Sequence, residues 1–137
     1  MKVAHYEKRI LSYLIDLILP LTMSILIYYF WLIKIINLKD VSFILTIVIV
    51  SPILFFIVNV ILMRITNGYT IGNFIFGIKT IASDQERIRL KHCLIKYAFL
   101  SFPICILLNA IYMLVVHSQI TIFDTISNTN TISIRFE

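Results

Sequence analysis

Residues 8–33 read KRILSYLIDLILPLTMSILIYYFWLI, a long apolar run with a few polar residues set into it. From Ile10 to Ile33 it is apolar apart from Ser12, Asp16, Pro20, Thr22 and Ser24. At about 1.5 Å of rise per residue, some 24 residues of helix cross a hydrocarbon core of about 30 Å with a modest tilt. The run is too long for the apolar part of a cleavable leader, and no small-residue cleavage site follows it, so it is expected to remain as a signal anchor. Arg9 and Asp16 lie two turns apart, about 10.5 Å along the axis, and project from nearly the same face with Ser12 and Tyr13 between them. That rise is too great for a closed ion pair on one helix, so the stripe requires a third group or water. An acidic residue near a helix centre costs about 2.5–3.5 kcal/mol to insert, so Asp16 must face protein or water. Two roles fit it: an ion or proton site, or an interhelical hydrogen-bonding residue that fixes packing. Arg9, at the end of the span, reads as a snorkelling anchor.

Working outward, a short polar link from Lys34 to Asp40 leads to a second apolar run, Val41 to Met63, with Pro52 near its middle. The two runs sit in a chain of 137 residues that is 60% hydrophobic and 14% charged, with a mean hydropathy of +0.96. Lipid is the solvent such a composition demands, and one membrane domain, 1–137, leaves no room for a separate soluble one. The net charge of +5 does not mark a nucleic-acid binder, because the twelve Lys and Arg are scattered between apolar runs with no aromatic-interleaved groove.

The extended polar stretch from Arg64 to Lys96 opens on Asn67-Gly68 and must lie outside the hydrocarbon. Within it, Phe74 to Ile81 and Arg87 to Leu90 flank Ser83-Asp84-Gln85-Glu86 and read as strand, turn and strand. Gly68-Tyr69-Thr70-Ile71-Gly72-Asn73 lacks the lysine and sheet context of a phosphate loop and reads as a turn entering an interfacial helix. A third apolar segment, Tyr97 to Val116, carries Pro103 and Asn109, and either spans or re-enters as a broken hairpin. The tail, 117–137, ends in the apolar-polar alternation Ile132-Ser133-Ile134-Arg135-Phe136, a strand whose expected partner is the Phe74 to Leu90 hairpin, which holds the other strand candidates. The fold class is therefore all-α membrane protein, with two transmembrane helices, a third apolar helical segment and a small cytoplasmic β element.

Three Lys or Arg precede the first run, two lie in the first link, six between Arg64 and Lys96, and one in the tail. Nine against two places the N-terminus and the large loop in the cytoplasm, in a multi-pass protein of the cell membrane. Cys93 and Cys105 read as packing residues, since Cys105 lies deep in an apolar run. His5, His92 and His117 are dispersed, so no metal site is expected, nor any cofactor. No nucleophile, base and orienting group converge, so no enzyme is expected. Asn59 and Asn109 are candidates to line a polar path with Asp16, or to act as glue between helices.

Read in order, Lys8-Arg9-Ile10-Leu11-Ser12-Tyr13-Leu14-Ile15-Asp16, then Gly68-Tyr69-Thr70-Ile71-Gly72 running on to Gly77-Ile78-Lys79-Thr80-Ile81, then Phe123-Asp124-Thr125-Ile126-Ser127-Asn128-Thr129, resemble the RDD family of bacterial membrane proteins. That family is named for an arginine opening the first helix, an aspartate within it and a second aspartate, positions matched here by Arg9, Asp16 and Asp124. The chain departs from the pattern at Asn73, where lysine is usual, and at His117-Ser118-Gln119, where bases are usual; Lys96 stands where an arginine is usual. The resemblance implies transport of an unspecified ligand, with cation and proton exchange suggested for some members, and favours a cytoplasmic tail and hence a re-entrant third segment. The expected site is a cluster of Arg9, Asp16 and Asp124, supported by Ser12, Tyr13, Thr70, Gly72, Asn59 and Asn109. Three short apolar segments enclose little polar volume, so a homo-oligomer is expected, or else a non-transporting accessory subunit bound to a larger membrane partner.

Overall fold

The computed structural model describes residues 3–35, 42–84, 87–116 and 120–134. Helix α1 runs from Tyr6 to Leu26 and continues, wound as a π-helix, over Ile27–Ile35. Helix α2 covers Phe43–Ile65 and continues through Pro52. Among the described residues two helices are long and apolar enough to cross a membrane, over Tyr6–Leu32 and Phe43–Ile65. Their packing is inverted relative to a soluble domain. The buried residues of α1 are Arg9, Ser12, Tyr13, Asp16, Pro20 and Ser24, a mostly polar stripe at helical spacing, while Leu14 and Ile18 are more than half exposed. An apolar face turned outward suits hydrocarbon as the surrounding medium.

A short helix, α3 (Ile71–Ile75), leads into strand β1 (Ile78–Ala82). Helices α4 (Leu90–Leu100) and α5 (Pro103–Val116) follow, then α6 (Ile122–Ile126) and strand β2 (Thr129–Ser133). β1 and β2 pair antiparallel, with Ile78 opposite Ser133, Thr80 opposite Thr131 and Ala82 opposite Thr129. Val3 bridges Ile132 on the other edge of β2, and the Ala4 N–H donates to Thr131 O at 2.9 Å. The N-terminus, the middle loop and the tail thus meet in one β element. Beneath it Phe55, Met63, Cys93, Tyr97, Leu100 and Phe123 form the apolar core.

Three expectations need correction. Phe74 belongs to α3 and Leu90 opens α4, so the hairpin expected over Phe74 to Leu90 does not form, whereas the expected contact of the tail strand with this loop does, as β1 against β2. A five-residue strand with a helix on either side finds more to pair with in β2 than in the three residues left before α4. The third apolar segment, expected over 97–116, is two helices beginning at Leu90 and interrupted at Ser101-Phe102, ahead of Pro103, which lacks the N–H needed to continue a helix. The tail strand lies at 129–133, slightly earlier than expected; Arg135 and Phe136, like His117 and most of the Lys34–Asp40 link, lie outside the described residues.

Candidate functional site

Helix α1 lays its polar stripe across both short helices. At one end the Asp16 carboxylate meets the start of α3: the Thr70 hydroxyl donates to Oδ2 at 2.6 Å and the Gly72 N–H to Oδ1 at 2.8 Å. One turn along, the Ser12 hydroxyl donates to Asn73 Oδ1 at 2.8 Å. At the other end Arg9 donates to Asp124 Oδ2 on α6 and, at 3.4 Å, to the hydroxyl of Thr121, the residue that caps α6. The approach of α1 to α3 requires glycine at position 72, because a Cβ there would lie 2.1 Å from the Ser12 carbonyl oxygen.

Thr70 and Thr121 cap their helices in the same way, each hydroxyl accepting from the N–H three residues on, Asn73 at 3.2 Å and Asp124 at 3.0 Å. Asp124 is 1% exposed and flanked by two cations. Arg9 holds one oxygen, and Lys96 Nζ donates to the other at 2.8 Å. Burial by itself would push the Asp124 carboxyl up, but the charges and hydrogen bonds of Lys96 and Arg9 outweigh it and hold the group below the usual carboxylate range. Lys96 uses its remaining donors on the Thr80 and Thr131 hydroxyls, each at 3.3 Å. The small gap among Arg9, Tyr13, Asn73, Lys96, Tyr97 and Thr131 has no room for a water molecule.

The structure brings together Arg9, Asp124, Ser12, Asp16, Thr70 and Gly72, with Tyr13 buried beside them. Arg9 is fully buried in an ion pair, so the snorkelling role does not apply; a carboxylate within reach is a better partner than water at the interface. Asn59 donates to Phe55 O on its own helix at 3.0 Å, which ties it to local packing. Asn109 is buried with no partner for Oδ1 among the described residues. Lys96 is the member that the spacing of charges does not single out: it stands at the foot of an apolar run, where a lysine reads as an interface charge. Its signal is its helical spacing from Cys93 and Leu100, three residues before it and four after, both buried in the core. Among the described residues no group of His, Cys, Asp and Glu is placed to hold a metal ion.

Two long apolar helices, an inward polar stripe and a buried charge cluster closed by a small sheet fit a membrane protein. The chain belongs to the RDD family, whose family model matches residues 3–128, nearly its whole length. No curated protein and no solved structure matches it.

Proposed function

We propose that the protein moves a small cation or proton across the membrane, with Asp16 as the carrying carboxylate. The observation behind this reading is the contrast between the two aspartates. Asp124 is neutralised by two cations, whereas Asp16, 3% exposed within a candidate span, is held by a hydroxyl and a backbone N–H with no cation beside it among the described residues. A buried carboxylate with neutral donors gains most from an arriving positive charge, and intramembrane carboxylates of this kind mark ion pathways. Three apolar segments enclose little polar volume, so the working unit is an oligomer.

The orientation proposed with this reading puts the N-terminus, residues 66–84 and the tail in the cytoplasm. The shared β element requires these three parts to be on one side, and the excess of Lys and Arg beside them selects that side. Helices α4 and α5, about 16 and 21 Å long, then enter and return without crossing. Reconstitution into liposomes loaded with a pH-sensitive dye tests the function. Flux is expected from the parent protein and its loss from Asp16→Asn; equal flux from both would end the transport reading.

A second reading draws on the closed gap beside Arg9 and Lys96. A cluster with no room for water suits an accessory subunit whose buried charges fix its shape while another membrane protein does the work. Purification from native membranes with a stoichiometric partner supports this second reading, and purification alone counts against it.

A further inference from the structure

A shift of 51 residues carries the second half of α2, with α3 and β1, onto α5, α6 and β2. It takes Pro52 to Pro103, the α2 end at Ile65 to the α5 end at Val116, Thr70 to Thr121, and strand 78–82 to strand 129–133. Ile71, Ile75, Thr80 and Ile81 fall on Ile122, Ile126, Thr131 and Ile132. Backbone geometry repeats as well. After the short helices, Phe76 (φ −90°, ψ 6°) matches Ser127 (φ −85°, ψ 0°), and the left-handed turn residues Gly77 (φ 60°) and Asn128 (φ 51°) coincide. The strand register is consistent with the same shift: exchanging the two copies carries every pair of the ladder onto another pair, and carries Thr80–Thr131 onto itself. A local two-fold axis therefore passes through that pair.

Lys96 lies at this axis, its ammonium 3.3 Å from each of the two axial hydroxyls. Its third bond breaks the symmetry by going to Asp124 on α6. The counterpart of Asp124 is Asn73 on α3, which lines the same small gap as Lys96 and is oriented by Ser12. We infer that the chain is two copies of one helix–cap–strand unit around this axis, and that the Lys96 ammonium has two equivalent seats, one occupied at Asp124 and a second at Asn73. Helix α1 spans both copies, with Arg9 on one and Asp16 on the other, and the single carboxylate at 124 selects the occupied seat. The inference rests on the repeat and the sheet register and stands whether or not the protein transports anything.

The test moves the carboxylate across the axis in the full chain in detergent micelles. Thermal stability and the 15N resonance of the Lys96 ammonium are read for the parent, for Asp124→Asn, and for Asp124→Asn combined with Asn73→Asp. The single variant is expected to lose stability and the ion-paired ammonium signal. The double variant is expected to regain at least half of the lost melting temperature and to recover the signal at a shifted position. Phe74→Asp combined with Asp124→Asn, which adds the same charge one residue from the seat, is expected to stay at the level of the single variant. No recovery in the Asn73→Asp double, or equal recovery from the Phe74→Asp double, would overturn the proposal. If Asp124→Asn yields no folded protein, folding of the Asn73→Asp double supports the second seat, and its failure to fold refutes it.

Discussion

Replacing Asp124 by Asn tests whether the buried cluster is held by one anion serving two cations. The substitution keeps the shape and leaves the backbone N–H that the Thr121 hydroxyl caps, but it removes the charge from between Arg9 and Lys96, both 1% exposed. Removing one partner of a buried ion pair costs about 3–5 kcal/mol, because the remaining charge stays desolvated. Here two like charges are left, so the upper part of that range is expected. For a chain of this length it corresponds to a fall of about 10–15 °C in melting temperature. Removing either cation instead leaves a neutral pair, Lys96 with Asp124 or Arg9 with Asp124. Arg9→Gln and Lys96→Met are therefore expected to cost less, about 1–3 kcal/mol each. Thermal unfolding of the four proteins in one detergent, with the exposed Glu7→Gln as a control near zero, gives the order directly. A loss below about 1 kcal/mol for Asp124→Asn, or one no greater than that of Lys96→Met, would refute the shared-anion reading.

The same carboxyl sets a pH dependence. Because its folded-state affinity for protons is depressed, its stabilising contribution is present above the ordinary carboxylate range near pH 3.9 and is lost as pH falls through its lower folded-state value. Melting scans between pH 7 and 3 are expected to show an acid loss below about pH 4 that is absent in Asp124→Asn. Gly72→Ala forces a methyl against the Ser12 carbonyl and should separate α1 from α3, costing about 1–3 kcal/mol or more by thermal unfolding. Thr70→Val removes both a helix cap and a donor to Asp16, and a loss of about 2 kcal/mol is expected. In a background lacking Cys93 and Cys105, single cysteines at Ser83 and Thr125 should label with an impermeant reagent from the same side of the membrane; labelling from opposite sides would contradict the shared β element.

The two long helices are legible in the sequence because an unbroken apolar run leaves few alternatives, and Asp16 stands out because its cost in hydrocarbon is large. Pro103 marks a break in the third segment. The start of α4 is hidden, since Arg87 to Leu90 reads as a strand until the Arg89 N–H donates to His92 Nδ1 at 3.4 Å and the His92 N–H to Arg89 O at 3.0 Å. The tail as a partner for the middle loop is legible, because the alternation at Ile132–Phe136 needs a strand and the loop holds the other candidates; that β1 pairs with β2 and not with Arg87 to Leu90 is hidden, because a strand of five residues carries no address. The repeat is present in the sequence as Thr-Ile and Thr-Ile at matched places, too sparse to notice until cap geometry and strand register align it. Lys96 is obscured by the rule that helps most elsewhere, that basic residues beside apolar runs report orientation.

The sheet that joins Val3, Ala4, β1 and β2 also sets the order of events as the chain is made. Asp16 waits only until Thr70 and Gly72 emerge to receive its donors, but Arg9 must wait for Asp124, 115 residues later. At about 5–20 residues per second of synthesis, that is an interval of roughly 6–23 s in which an arginine destined for burial has no anion. Until then burial of Arg9 is costly, and the arrival of Asp124 removes that cost. A ribosome stalled before residue 124 would leave a chain whose long helices are complete and whose lock is still open.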